Sequence, residues 1–259
     1  MYPVVPSMMH TVRRRVTGCA EAAVELLFPP SCACCAIDLP GIQRGMSLCD
    51  DCAERLCHPN VTMCRRCGSN VHENEDTQDG CRKCRRSAIR FDAVVALGDY
   101  SDELRRAVLR IKHPRDAPLA RALAGLLYHG RRDALAQLAV DVVVPVPMHW
   151  ARRALRGANS AETLAVRLSR QLGSPAAPAA LRRRRNTKPQ GSLPRRERFR
   201  NVRGALALSA GYYFNGARVM VVDDIMTTGA TLAEAAKVLK TAGAAAVFAV
   251  VLARAGGPD

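Results

Sequence analysis

Two adjacent carboxylates and a hydroxyl-rich turn follow an apolar run near the end of the chain. Asp223 and Asp224 come directly after the apolar residues 219–222, and the turn consists of Thr227, Thr228, Gly229, Ala230 and Thr231. Backbone N–H groups at a helix start, helped by Thr hydroxyls and by close approach at the glycine, form a site for a phosphate monoester. The carboxylates can accept hydrogen bonds from ribose hydroxyls. An ordinary helix cap explains one Thr and one Asp only, so the pattern predicts a sugar-phosphate site.

Eight of the eleven cysteines form a repeat with metal-ligand spacing. The unit C-x2-C-x13-C-x2-C occurs first with Cys32, Cys35, Cys49 and Cys52, and again with Cys64, Cys67, Cys81 and Cys84. Two facing CxxC turns complete a tetrahedral site of four thiolates, and a unit this small needs the metal for its folding energy. The repeat therefore predicts two structural Zn²⁺ sites. Pairing of neighbouring CxxC turns is favoured, and interleaved pairing remains an alternative.

Three further cysteines, Cys19, Cys34 and Cys57, fall outside the repeat. Cys34 lies inside the first CxxC pair and is a rival ligand, although ordinary free thiols explain all three residues. Because no cleavable secretion signal precedes the cysteines, disulfide bonds are disfavoured.

Alternating apolar and helical patterns after residue 91 predict the elements that position the carboxylates. Strands are predicted at 94–97, 142–146, 218–222 and 246–253, and helices from 101 to about 112 and at 117–138, 160–172 and 229–240. This alternation predicts an α/β fold, a mostly parallel sheet flanked by helices on both faces. Ligands bind such sheets at the carboxyl ends of the strands.

Composition and charge indicate a folded protein with anionic partners. The 259 residues are 48% hydrophobic and 24% charged, with a net charge of +16. The tract 181–203 carries ten basic residues against Glu197 alone, which predicts a mobile, solvated arm or a linker. Nucleic acid and phosphorylated metabolites are the partners that such charge favours, and a basic solvated surface is the simpler alternative.

The N-terminal region predicts a helical leader and no membrane insertion. Glu21 and Glu25 interrupt the apolar stretch 16–28, and no apolar run reaches the ~18–20 residues that span a bilayer. We therefore expect a cytoplasmic protein. The predicted organisation is a leader over 1–28, a double zinc ribbon over 29–90 and an α/β domain over 91–259.

The tract 219–231 resembles the phosphoribosyl pyrophosphate signature of type I phosphoribosyltransferases, an apolar strand, two acids and then T-T-G-x-T. By that resemblance Asp223 and Asp224 bind the ribose hydroxyls, and residues 227–231 wrap the 5′-phosphate. A double zinc ribbon ahead of this fold is similar to the ComF (ComFC) proteins of bacterial DNA uptake. Residues 27–32 resemble their entry into the first ribbon, and 183–204 resembles their R-x-x-x-T-x-x-Q-x-x-L…R-x-x-N-V-x-G arm.

Residues 144–149 resemble the pyrophosphate-binding loop of the same family. The loop continues with Arg152 and Arg156, whereas Ala158 and Ser160 replace an aromatic residue and a glutamine of the family pattern. The resemblance implies a glycosyltransferase reaction, in which a nitrogen nucleophile displaces pyrophosphate from C1 of the ribose. Arg152 and Arg156 would hold the pyrophosphate, with Mg²⁺ bridging its oxygens. Arg183 and Arg198 of the arm would close over the site.

Three functions are consistent with these patterns. The first is a phosphoribosyltransferase. The second is a phosphoribosyl pyrophosphate-binding protein of DNA uptake with little or no catalysis. The third is a zinc-ribbon module that docks single-stranded DNA or proteins of the competence machinery. The intact phosphate turn favours the transferase and the binding protein over the docking module. The altered pyrophosphate loop makes the binding protein more favoured relative to the transferase.

Overall fold

The fold is described from a computed structural model, over residues 29–39, 47–57, 61–72, 75, 77, 80–85 and 89–256. The predicted helical leader at 1–28 lies outside these residues. Within them, no helix combines the length and apolar content that crossing a membrane requires.

Four parallel strands form the central sheet, in the order β1–β6–β5–β2. The strands of the described residues are β1 (Ala93–Asp99), β2 (Val142–Pro145), β3 (Leu181–Arg183), β4 (Leu206–Leu208), β5 (Arg218–Met226) and β6 (Ala246–Arg254). β3 and β4 form a separate antiparallel pair. The register sets Val222 beside Pro145 of β2 and Val250 of β6, so these three strands end at one edge.

Helices cover both faces of the sheet, which confirms the predicted α/β architecture. The helices of the described residues are α1 (Asp50–Leu56), α2 (Asp102–Arg110), α3 (Ala117–Gly130), α4 (Arg132–Ala136), α5 (Trp150–Arg156), α6 (Ser160–Leu172), α7 (Arg195–Val202) and α8 (Ala230–Thr241). Met220 and Val222 of β5 pack in the core formed with α2, α3 and α6. Val219 and Val221 pack in the opposite core with α8 and the β3–β4 pair. Side chains alternate across a strand, so each strand serves both cores.

The single helix predicted over 117–138 is wrong, because the chain breaks between α3 and α4 at Arg131. Its backbone leaves the helical region at φ −128°, ψ 27°. The guanidinium donates to the carbonyls of Ala96, at 3.1 Å, and Leu97, at 2.9 Å. Binding these carbonyls holds Arg131 against β1.

The basic tract forms secondary structure and is not a simple linker, while most of its side chains stay exposed, as predicted for a solvated arm. Residues 181–208, which we call the hood, contain β3, a 3₁₀ turn at Gln190–Ser192, α7 and β4. Thr187 and Val202 are buried. Arg185 donates to the carbonyls of Asn201, at 3.0 Å, and Arg203, at 2.7 Å. Arginine donors thus satisfy backbone acceptors inside the hood, which lets a strongly charged segment fold.

α6 is the helix whose packing we expect to matter most for the carboxyl edge, because it begins there and contacts both β2 and β5. Leu164, on its buried face, is fully buried. We expect Leu164→Ala to lower the free energy of unfolding by about 2–5 kcal/mol through the lost contacts and the cavity. Leu155→Ala removes an 87% exposed leucine and is the matched control, with an expected change within about 0.5 kcal/mol. Urea denaturation measures both values, and equal changes would contradict this packing.

Candidate functional site

A cleft of about 560 Å³ lies at the carboxyl edge of the sheet. Its lining includes the end of β5 with Asp223 and Asp224, the turn 227–231, the loop after β2, and the hood. Parallel pairing is the reason that these segments meet, because it brings the strands' carboxyl ends to one side. The strand predicted at 218–222 is in fact longer, and β5 continues through both aspartates to Met226.

The turn after β5 presents its backbone at the start of α8. Gly229 caps this helix in the left-handed conformation, at φ +75°, and a Cβ there would lie 3.4 Å from the Phe91 ring. Thr228 Oγ1 accepts a hydrogen bond from the Ala230 N–H at 3.4 Å. Thr231 Oγ1 accepts from Gln190 Nε2 of the hood at 3.4 Å. Glycine therefore satisfies both the backbone conformation and the close packing at this position.

The two aspartates have different surroundings. Asp224 Oδ2 accepts a hydrogen bond from Ser160 Oγ at 3.0 Å and lies 3.5 Å from Lys112 Nζ. Asp223 Oδ1 accepts from the Asp224 backbone N–H at 2.9 Å. Burial, and then the neighbouring Asp224 charge, raise the pKa of Asp223 to about 8. Both causes disfavour the ionised form of Asp223.

Arginines from two elements also line the cleft. Arg152 of α5 donates to the Thr187 carbonyl of the hood. Arg183 donates to the Pro147 carbonyl at 3.1 Å and to Thr187 Oγ1 at 2.8 Å. Burial lowers the pKa of Arg183. These contacts join the hood to the loop after β2 and place two guanidinium groups in the cleft lining.

The structure brings nearly all of the predicted ligand-binding residues together. The cleft lining contains Asp223, Asp224, Thr227, Thr228, Gly229, Ala230, Thr231 and Arg152. Arg156 ends α5, and its side chain lies outside the described part of the chain. Asn159, which precedes α6, is buried and donates to the Val146 carbonyl at 3.2 Å.

Sequence reasoning missed the partners of Asp224. Ser160 entered the prediction only as a departure from a glutamine, and residue 112 only as the approximate end of a helix. Ser160 begins α6 at the carboxyl edge, where ligands are expected, so its placement was a signal that could have found it. Lys112 follows α2, and its sequence distance from Asp224 carries no such signal.

The eight repeat cysteines form two groups of neighbouring CxxC pairs. Their four Sγ atoms lie within 4.8 Å of one another in each group. The groups are Cys32, Cys35, Cys49 and Cys52, and Cys64, Cys67, Cys81 and Cys84. Cys35–Cys49 and Cys64–Cys84 sulfurs are 3.7 Å apart and Cys67–Cys81 sulfurs 3.6 Å apart. A tetrahedron with Zn–S bonds of ~2.3 Å has edges of about 3.8 Å, so both groups fit zinc.

Backbone donors reach one sulfur of each group in the same way. The N–H of Cys49 lies 3.4 Å from Cys32 Sγ, and the N–H of Cys81 lies 3.4 Å from Cys64 Sγ. Such contacts support thiolate ligands. Among the described cysteines outside the repeat, Cys34 and Cys57 belong to neither group, and Cys19 lies outside the described residues.

Two protein families match this chain. The Phosphoribosyl transferase domain matches residues 117–258, and the Double zinc ribbon domain matches residues 23–89. The first match contains the whole turn 227–231 and both aspartates, and the second contains all eight repeat cysteines.

Similar proteins cover most of the chain. Competence protein F of Haemophilus influenzae is 32% identical over 212 residues, which are 80% of this chain and 90% of that protein. DNA utilization protein YhgH of Escherichia coli K12 is 32% identical over 233 residues, which are 88% of this chain and 99% of that protein. A purine phosphoribosyltransferase from Pyrococcus horikoshii Ot3 is 19% identical, with a TM-score of 0.32, and the match covers 62% of this chain and 77% of that one.

The raised pKa of Asp223 predicts a pH-dependent stability. Between about pH 4 and about pH 8 the unfolded chain has lost this proton while the folded chain keeps it. Stability from this group is therefore present at low pH and is lost as the pH rises through that window. The side-chain oxygen of Asp223→Asn can still accept from the Asp224 N–H. We therefore expect the free energy of unfolding of Asp223→Asn, relative to that of wild type, to increase by at least about 1 kcal/mol from pH 5.5 to pH 8.5.

Urea denaturation of both proteins at the two pH values measures this difference. Taking the difference between variants cancels the titration of the cysteines and of other groups. Asp133→Asn, at an exposed position of α4, is the control and should show no such gain. A constant difference between Asp223→Asn and wild type would show that the carboxyl is not held protonated.

Proposed function

The chain belongs to the ComF family, in which a double zinc ribbon precedes a type I phosphoribosyltransferase domain, and on that premise we propose that it binds phosphoribosyl pyrophosphate with Mg²⁺ in the cleft. One observation carries the proposal. The paired carboxylates, the threonine-rich turn, Arg152 and Arg183 all line the same cleft. That arrangement complements a ribose with a phosphate at one end and a diphosphate at the other.

Each part of the ligand has matching groups in this proposal. The turn 227–231 binds the 5′-phosphate through backbone N–H groups and Thr hydroxyls. Asp223 and Asp224 accept hydrogen bonds from the ribose hydroxyls. Arg152 and Arg183 neutralise the diphosphate, and Arg156 lies on the same helix as Arg152. The cleft's carboxylates provide oxygen atoms suited to Mg²⁺ or its bound water.

The same geometry suits transfer of the phosphoribosyl group to a nitrogen nucleophile. Bond breaking at C1 leaves cationic character on the sugar and negative charge on the departing pyrophosphate. Arg152 and Arg183 would stabilise the leaving group, and Asp224 would stabilise the positive sugar. Mg²⁺, when bound, withdraws charge from the diphosphate oxygens. The hood, which already contacts the turn through Gln190 and Thr231, would exclude water.

A binding protein without turnover is the second candidate, and the loop after β2 favours it. Ser160, at the position of a glutamine in the family pattern, hydrogen-bonds to Asp224. The Ser160 hydroxyl therefore contacts the carboxylate that we propose binds the ribose, and not the proposed diphosphate site. Pyrophosphate release against a panel of nucleobases decides between the two functions, because binding without release supports the second.

We infer that both cysteine groups hold structural zinc. Each contains four sulfurs at tetrahedral spacing, and the second group is buried throughout. The zinc contributes folding energy to ribbons that have little apolar core of their own.

The names of the relatives suggest where such a protein acts. Competence protein F and DNA utilization protein YhgH both point to DNA uptake or use, and we propose the same setting for this chain. The net charge of +16 is compatible with single-stranded DNA or competence proteins as partners. Binding to single-stranded DNA would weaken steeply as salt rises, and an affinity independent of salt would argue against a phosphate-backbone contact.

Titration calorimetry with phosphoribosyl pyrophosphate and Mg²⁺ tests the binding proposal. We expect Asp224→Asn to weaken binding about 10-fold or more, because a charged hydrogen bond contributes ~1.5–3 kcal/mol. Asp133→Asn changes an exposed carboxylate by the same chemistry and should bind as wild type does. Unchanged binding in Asp224→Asn, or no binding by wild type, would refute the assignment.

Metal analysis tests the zinc assignment. We expect about two zinc ions per chain in the wild type and about one in Cys81→Ser, which removes a ligand from the second group only. Cys57→Ser changes a buried cysteine outside both groups and should retain two. A wild-type content of one or none would contradict the pairing.

A further inference from the structure

A buried arginine connects the second cysteine group to the phosphate-binding turn. Arg254 is the last residue of β6, and only 3% of its surface is exposed. Its Nε donates to the carbonyl of Cys67 at 2.8 Å. Its Nη1 donates to the carbonyl of Met226 at 3.2 Å and to that of Thr227. One side chain thus binds a residue of the cysteine group and two residues at the base of the turn.

These hydrogen bonds orient the turn. In a planar trans peptide, the carbonyl of one residue and the N–H of the next point in opposite directions. Holding the carbonyls of Met226 and Thr227 on Arg254 therefore directs the N–H groups of Thr227 and Thr228 away from it. Those N–H groups belong to the turn that lines the cleft.

The second ribbon is packed closely enough against the sheet to support this contact. Arg65, between Cys64 and Cys67, accepts from the Val94 N–H at 2.7 Å. A Cβ on Gly68 would lie 2.6 Å from Val94 Cγ1 and 3.8 Å from Arg254 Cδ. A buried guanidinium needs acceptors for its fixed set of donors, so a shift of the ribbon would leave donors unpaired.

We propose that Arg254 is a positioning residue through which the second cysteine group and the phosphate-binding turn stabilise one another. Zinc at the second group fixes the Cys67 carbonyl, Arg254 transmits that position to the turn, and a 5′-phosphate on the turn fixes it from the other side. Coupling of this kind is reciprocal, so ligand binding must also retain the zinc more firmly. The inference rests on the proposed function, because it concerns the same phosphate site.

The first ribbon offers a matched control. Arg110 donates to the carbonyls of Cys34, at 2.7 Å, and Ala33, at 3.2 Å. The same guanidinium also binds Asp116 Oδ1, at 3.0 Å, on the 3₁₀ turn that precedes α3. Arg110 thus binds a CxxC turn as Arg254 does, but it leads to the α3 side of the fold and not to the phosphate turn.

The test measures zinc release from the full chain to a chromogenic chelator, with and without phosphoribosyl pyrophosphate in excess Mg²⁺. We expect the ligand to slow release of one of the two zinc ions at least about 5-fold, within the usual range of coupling between sites, and to leave the other unchanged. Calorimetry on the same samples reports whether the ligand is bound. This measurement tests the coupling on the wild type alone.

Variants assign the effect to Arg254. Arg254→Met should lose the protection and weaken ligand binding about 5-fold or more, whereas Arg110→Met should change neither. Arg254→Lys keeps the charge but cannot bind the carbonyls on both sides, so we expect it to behave as Arg254→Met does. Full rescue by lysine would overturn the positioning role in favour of charge alone.

The outcomes separate the two proposals. If the ligand binds but slows both zinc ions equally, or neither, the coupling is refuted and the proposed function stands. If the wild type does not bind the ligand, the proposed function fails and the coupling falls with it. If Arg254→Met loses its second zinc, the wild type still tests the coupling. Slower release of one zinc ion in the presence of the ligand supports it, and equal release of both ions refutes it.

Discussion

Parallel pairing of β5 with its neighbours is the constraint on which the site depends. It places the ends of β2, β5 and β6 at one edge, so residues that are far apart in the chain meet there. Asp224 at the end of β5 reaches Ser160 at the start of α6, and the loop after β2 reaches the hood through Pro147 and Arg183. The hydrophobic residues on both faces of β5 hold that edge in place.

The cleft also brings carboxylates and guanidinium groups into one lining. Ionising two carboxyls that are adjacent in the chain and partly buried costs free energy, because the like charges repel each other and are poorly solvated. The two carboxyls differ in their surroundings, because Asp224 has Lys112 and Ser160 as partners while burial and the Asp224 charge raise the pKa of Asp223. Arg152 and Arg183 donate to carbonyls of the hood and of the loop after β2. A ligand with negative ends and a hydroxyl-bearing middle would complement this distribution.

The parts that sequence predicts well are those set by local pattern. The helix over Ser160–Leu172 has the predicted bounds, and the CxxC spacing predicts the neighbouring cysteine groups. The misses come from long-range contacts that leave no local signal. Arg131 interrupts a helix where it binds a carbonyl of β1. Lys112 forms an ion pair with Asp224, which is distant in sequence, and Arg254 binds both the second ribbon and the turn. The hood shows the same effect, since the sequence gives no sign that Arg183 and Arg185 donate to backbone carbonyls.

A crystal structure of the zinc-loaded chain with phosphoribosyl pyrophosphate and Mg²⁺ tests the central claim most directly. The account predicts that the 5′-phosphate lies against the backbone N–H groups of the turn 227–231, with ribose hydroxyls on Asp223 and Asp224 and the diphosphate toward Arg152. A ligand bound elsewhere, or bound in the cleft with its 5′-phosphate away from the turn, would contradict it.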